Sequence, residues 1–250
     1  MTKADITSAE EVDEVDGLTT GLDKLDVMLG EIRGVPIGRI TTLTGTYSSG
    51  KTALALTILA SAQQHGYRCL FADVERAFHK GQAIACGVDL KKLDILRASH
   101  GEKMLDDIEE YVFEKKPSFV VLDSYSALSP RSEMESSNER AGMMEKSRMV
   151  AKFLRKMVNY VADTKSILIV VAHDYNTPLP GGRMKNVMAG GDQMVKAPSV
   201  WLKLFTRPIL QSGTSGPRIG STIIFQQKKN KVGGLQDDTC EIRYLFAHGF

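Results

Sequence analysis

One loop and three strand-end residues in this chain have the types and positions needed for phosphate chemistry. Gly45-Thr46-Tyr47-Ser48-Ser49-Gly50-Lys51-Thr52 fits G-x-x-x-x-G-K-[ST], a loop whose backbone N–H groups cradle the phosphates of a nucleoside triphosphate. Its flanks suit that role. Arg39-Ile40-Thr41-Thr42-Leu43-Thr44 is a short β-branched strand, and Ala53 to His65 is an Ala/Leu/Ile-rich helix stopped by Gly66. A strand running through a glycine loop into a helix aims successive N–H groups, and the positive end of the helix dipole, at one spot. Lys51 is placed to reach the β- and γ-phosphates, and the Thr52 hydroxyl to ligate Mg²⁺. A glycine turn that binds nothing is the bland alternative; the agreement of strand, loop and helix argues against it.

Three further residues end apolar strands. Asp123 closes Ser118-Phe119-Val120-Val121-Leu122, where a carboxylate can hold the Mg²⁺ water shell opposite Thr52. A strand-end Asp that caps a turn is its structural alternative. Glu75 follows Cys69 to Ala72 in Asp73-Val74-Glu75 and could orient and deprotonate an attacking water. Glutamate after a strand is common, so position alone leaves that role open. His173 ends Ser166 to Ala172, and by itself reads as a structural histidine rather than a γ-phosphate sensor.

The elements that must position these residues alternate. Besides the strands above, Arg68 to Ala72 is a short apolar strand, and Glu102 to Lys115 is an amphipathic helix with Met104, Leu105, Ile108, Val112 and Phe113 near one face. Glu145 to Ala162 is a second long helix. Apolar strands linked by helices predict a parallel sheet covered on both faces. After Asp192 the style changes: Ser199 to Phe205, Ser221 to Gln227 and Cys240 to Leu245 are strands joined by Gly/Ser/Pro-rich turns, which predicts an antiparallel extension. Ser129 to Gly142 and Asp174 to Gly191 carry no sustained period and read as long functional loops.

The chain's 250 residues, 42% hydrophobic and 25% charged, fit one large α/β domain of an ordinary soluble protein. Residues 1–16 form an acidic segment expected to be flexible, and 17–250 the core. No apolar run reaches membrane-spanning length. Cys69, Cys86 and Cys240 lack metal-ligand spacing and read as reduced thiols of a cytoplasmic protein. The net charge of +2 excludes little, but from Arg183 to Lys231 nine cations face only Asp192, a bias that suggests a polyanion-facing surface.

The order of these motifs resembles the ATPase core of the RecA family of DNA recombinases. The likeness runs from Gly17-Leu18-Thr19-Thr20-Gly21 and Gly34 to Ile40, through the phosphate loop, Asp73-Val74-Glu75, Gly87-Val88-Asp89 and Val120 to Ser124, to Gly190-Gly191 and Lys228-Lys229-Asn230-Lys231. His173 and Met188-Ala189-Gly190-Gly191 look more like the phage recombinase UvsX and its short relatives. The resemblance implies a RecA-like P-loop core using ATP and Mg²⁺, with Glu75 as catalytic glutamate and His173 as γ-phosphate sensor. It implies that 129–142 and 174–191 are the DNA-binding loops, with Arg148, Arg155, Arg183, Lys185, Gly190 and Gly191 on the DNA side. Arg148 and Arg155, seven apart, also share one helix face. Lys229 and Lys231 match lysines that reach the ATP of a neighbouring subunit.

The sequence departs from the family in two places. Gln82 stands where a tyrosine stacks on adenine, leaving Phe78 or His79 to cover the base or relaxing base selectivity. The N-terminal polymerisation element is reduced, and no C-terminal DNA-gathering domain is expected. The implied activity is a DNA-stimulated ATPase that binds single-stranded DNA, pairs it with duplex and self-associates with ATP between subunits. Single-strand-binding or mediator proteins are further candidate partners, and the host cytoplasm is the location if a phage encodes the chain. Two alternatives stay open: a RadB-like mediator that binds nucleotide without exchanging strands, and a KaiC-like or helicase-type ATPase.

Overall fold

The computed structural model describes residues 8, 10, 14–135, 139–178, 184–188, 191–213 and 215–250. Side chains of 134–144, 175–178, 184–188, 191 and 192 lie outside the description. In chain order the elements are β1 (Gly17–Leu18), α1 (Asp23–Met28), β2 (Val35–Pro36), β3 (Ile40–Gly45), α2 (Lys51–Gln64), β4 (Arg68–Asp73), α3 (Lys80–Ala85), β5 (Leu93–Leu96) and α4 (Gly101–Glu114). They continue with β6 (Ser118–Asp123), α5 (Arg131–Glu135), α6 (Glu139–Thr164), β7 (Ile167–Pro178), β8 (Met184–Met188), α7 (Gly191–Lys196), β9 (Val200–Leu210), β10 (Arg218–Asn230) and β11 (Thr239–Leu245).

The main sheet runs β11-β10-β9-β3-β7-β6-β4-β5. From β5 to β9 every neighbour is parallel, and β10 and β11 add on antiparallel, as the change of pattern after Asp192 predicts. The central strands are apolar throughout because both faces are covered. On one face, Leu43, Phe71, Val121 and Val171 pack on α2, whose Leu54, Ile58 and Leu59 are fully buried. On the other, Leu70, Val120 and Val170 pack on Leu105 and Ile108 of α4 and Phe153 and Met157 of α6. A small β1-β2 pair lies apart from this sheet.

Register brings the chemistry-bearing residues to one edge. β3 and β7 pair Gly45 with His173, and β4 and β6 pair Asp73 with Asp123. All four stand at carboxyl ends of parallel strands, where open α/β sheets hold ligands.

Two expectations need correction. Segment 129–142 is not a continuous loop: it holds α5, and α6 begins at Glu139, six residues before the predicted Glu145. Polar residues such as Glu139 and Arg140 give no apolar periodicity from which a helix start could be read. Segment 174–191 contains a hairpin, because β7 runs on to Pro178 and pairs antiparallel with β8, Asp174 opposite Met188. Strands rich in Asn, Lys and Pro carry little propensity signal. Residues 136–138, 179–183, 189 and 190 lie outside the described residues, and with them Arg183 and Gly190. Of the acidic N-terminal segment, residues 1–7, 9 and 11–13 are likewise outside, and Asp16 accepts a hydrogen bond from Ile37 N–H at 2.9 Å.

Candidate functional site

Two glycines of the phosphate loop sit where a side chain is disfavoured, Gly50 by its positive φ and Gly45 by its contact with backbone. At Gly50, the N-cap of α2 with φ 91°, a Cβ would lie 2.4 Å from Ile223 Cδ1. At Gly45 it would lie 2.5 Å from the Leu204 carbonyl oxygen and 2.6 Å from Ser49 Oγ. The loop is thus held against β9 and β10, with the α2 N-terminus behind it. Lys51 is folded back onto the loop: its Nζ donates to the carbonyls of Gly45 (3.1 Å) and Thr46 (2.7 Å) and to Ser49 Oγ (3.4 Å). Burial lowers the Lys51 pKa, against the opposing pull of Asp123, Asp174 and Glu75.

Thr52 Oγ1 donates to Asp123 Oδ2 at 2.6 Å, joining the first turn of α2 to the end of β6. Burial raises the Asp123 pKa to about 6, with Lys51 and the Thr52 bond opposing it. Two oxygen ligands fit Mg²⁺, which is commonly held by one or two protein oxygens together with phosphates and water. No cluster of three or more metal-ligating side chains occurs among the described residues.

Glu75 and His173 meet. His173 Nε2 lies 3.1 Å from Glu75 Oε1, which also accepts from Ser124 Oγ. The Tyr47 ring stacks on the His173 ring with centroids 4.4 Å apart, and His173 N–H donates to Ser126 Oγ at 2.9 Å. Sequence reading passed over Ser124 and Ser126 because an isolated serine carries no signal. It also passed over Asp73, 2% exposed. The Asp73 Oδ1 accepts from Ala77 and Phe78 N–H (2.8 and 3.3 Å), and its Oδ2 from Arg97 Nε and Nη2 (2.9 and 2.7 Å). Asp73 thereby fixes the turn that carries Glu75.

Lys51, Thr52, Asp73, Glu75, Asp123 and His173 line a cleft of about 440 Å³. It continues past the phosphate loop to Phe78, Gln82, Arg218, Ser221, Tyr244 and Phe246. Phe78 packs on Phe71 with centroids 5.3 Å apart, whereas His79 caps α3 by accepting from Gln82 N–H at 3.1 Å and does not line the cleft.

Residues 3–244 match the family model described as the RecA N-terminal domain. The chain belongs to the RecA family. It is 36% identical over 171 residues to Protein RecA of Mycoplasma genitalium, covering 68% of this chain and 50% of that protein. Against the mitochondrial DNA repair protein recA homolog of Dictyostelium discoideum it is 33% identical over 222 residues, 88% of this chain and 47% of the relative. Against Protein RecA of Sulfurimonas denitrificans the figures are 31% over 224 residues, 89% and 64%. The chain thus spans about half to two-thirds of the length of these curated relatives.

The RecA-family residues expected on the DNA side are only partly described. Arg148 and Arg155 are exposed on α6. Lys185 lies in β8 and Gly191 starts α7, on either side of residues outside the description. Among the described residues, three cations of this stretch are ion-paired within the chain. Lys203 pairs with Asp174, Arg207 with Glu241 and Lys228 with Asp237. Lys229 Nζ donates to the carbonyls of Val195 (2.6 Å) and Lys196 (3.0 Å), and Lys231 Nζ to that of Lys196 (3.4 Å). Both amines therefore sit on the C-terminal end of α7, outside this chain's own cleft. Burial, then the Lys231 charge, lowers the Lys229 pKa to about 8. Cys69, Cys86 and Cys240 are free thiols.

Proposed function

We propose that this chain is the ATPase core of a recombinase: it binds ATP with Mg²⁺, hydrolyses it under stimulation by single-stranded DNA, and promotes pairing or strand exchange with duplex. The observation that carries the reading is the contact of Glu75 with both His173 and Ser124, beside Lys51 and the Thr52–Asp123 pair. The loop N–H groups and Lys51 bind and orient the phosphates, for which Lys51 gives up its carbonyl contacts. When bound, Mg²⁺ neutralises developing phosphate charge, with Thr52 and Asp123 to hold it. Glu75 accepts the proton of the attacking water. Both protein contacts fall on its Oε1, which leaves Oε2 to face the water.

His173 links this chemistry to DNA. Its ring touches Glu75 and Tyr47, and the strand it sits on runs straight into the β7–β8 hairpin. A γ-phosphate that displaced His173 from Glu75 would shift the root of that hairpin, making ATP an affinity switch for DNA. Arg148, Arg155, Arg183 and Lys185, with the backbone at Gly190 and Gly191, supply the DNA contacts in this reading.

Lys229 and Lys231 reach the ATP of an adjacent subunit, so self-association completes each site. Their position outside the chain's own cleft supports supply in trans. Single-strand-binding or mediator proteins are candidate further partners. Among the described residues no helix is long and apolar enough to cross a membrane, and the proposed location is the cytoplasm.

The test is steady-state hydrolysis with and without single-stranded DNA. Stimulation that is lost in Glu75→Gln supports the proposal; nucleotide binding without turnover in the unaltered chain would sink it. Mixing Lys229→Ala/Lys231→Ala with Glu75→Gln should rebuild a working site at those interfaces where a Glu75→Gln subunit presents its lysines to a site with intact Glu75, and so restore part of the activity.

A further inference from the structure

At the far end of the cleft stands Arg218, to which no role has so far been assigned. β9 and β10 pair Leu210 with Arg218 and Ile209 with Gly220, so Ile219 is an extra residue on β10, a β-bulge. Side chains alternate along a strand, and without the bulge Arg218 would share a face with Gly220 and Thr222. The extra residue turns it to the face of Ser221 and Ile223, both of which line the cleft. Ile223 lies against Gly50 of the phosphate loop. Along the pairing with β9, Arg218 opposite Leu210 is four positions from Ile223 opposite Thr206, roughly 13 Å at about 3.3 Å per residue. It therefore lines the cleft about a nucleoside's length beyond the phosphate loop, at the end open to a base.

The guanidinium is held in place. Its Nε donates to the Gly220 carbonyl at 3.2 Å, its Nη2 donates to Ser221 Oγ, and its Cζ sits 5.6 Å from the centre of the Phe246 ring. Two of its five N–H donors are engaged in this way, and a guanidinium accepts none. The carboxylates lining the cleft, Asp73, Glu75 and Asp123, are committed at the phosphate end, where Asp73 is bound by Arg97 and the turn amides. The base end thus offers the donors of a fixed arginine, flanked by aromatic rings.

We propose that Arg218 reads the six-position of the base, so that this site takes 6-oxopurine nucleotides, guanosine or inosine, at least as well as adenosine. The inference rests on the cleft being a nucleotide site. Guanine and hypoxanthine present two acceptors, O6 and N7, to a paired donor. Adenine presents N7 beside an amino group, which sets donor against donor.

The experiment is competitive equilibrium binding of ADP, GDP and IDP to the intact chain and to Arg218→Ala and Arg218→Lys. GDP and IDP should match or exceed ADP with the unaltered protein. Their advantage over ADP should fall roughly 5- to 150-fold in Arg218→Ala, the range for one bidentate base contact. Arg218→Lys, whose ammonium can also donate to O6 and N7, should retain more of that advantage than Arg218→Ala. A preference for ADP above about tenfold in the unaltered chain, or a GDP-to-ADP ratio unmoved in Arg218→Ala, overturns the assignment. Tight GDP with weak IDP overturns it too, since the contact would then be to the 2-amino group. If no nucleotide binds, and Lys51→Ala behaves like the unaltered chain, the nucleotide reading itself falls.

Discussion

Glu75 and His173, 98 residues apart in sequence, meet at 3.1 Å between the ends of β4 and β7. The contact places the residue best suited to activate water against the strand that continues into the β7–β8 hairpin. Glu75→Gln should retain nucleotide binding and lose turnover by roughly 10²- to 10⁴-fold, the usual scale of a general base. His173→Ala should retain basal hydrolysis better than Glu75→Gln but uncouple it from single-stranded DNA. Hydrolysis rates at saturating ATP, with and without DNA, check both. Normal turnover in Glu75→Gln would remove it from the chemistry.

Lys229 gives a pH signature with a definite sign. Its folded pKa of about 8 lies below the ordinary lysine value of 10.5, so the folded chain releases this proton first. Between about pH 8 and 10.5 the unfolded chain holds more protons, and Lys229 makes stability rise with pH in that window. The cation offered to a neighbouring site is lost over the same range. DNA-stimulated kcat/KM should therefore fall above about pH 8 and stay level in Lys229→Arg, which remains charged. An alkaline limb unchanged in Lys229→Arg would assign it to another group.

Asp174 and Lys203 form an ion pair at 2.9 Å between the root of the hairpin and β9, with the Asp174 side chain fully buried. Removing one member leaves a buried charge without its partner. Asp174→Ala or Lys203→Met should each cost about 3–5 kcal/mol, whereas Asp174→Leu/Lys203→Met together should recover most of it. Urea unfolding midpoints measure this. Equal and additive losses would show that the two charges do not interact.

Arg148 and Arg155 project from the exposed side of α6. If Arg148 neutralises one phosphate, Arg148→Ala should flatten the log–log salt dependence of single-stranded DNA binding by about 0.7. Affinity and slope both unchanged would place Arg148 off the DNA path.

The phosphate loop, its flanking strand and helix, the parallel strands and Asp123 were all legible in the sequence. Each is a local matter: a glycine spacing, a β-branched run, a strand end. Even the antiparallel extension showed itself as a change in turn composition. The meeting of Glu75 with His173 was not legible, because it depends on β4, β6 and β7 lying side by side in the sheet, an order that no neighbouring residue encodes. The early start of α6 and the β7–β8 hairpin escaped as well, since their largely polar residues give no apolar period. Arg218 is the sharpest case. One extra residue at Ile219 turns its side chain to the opposite face of β10. Only pairing with β9 shows that Ile219 is extra, so only the tertiary structure puts Arg218 in the cleft.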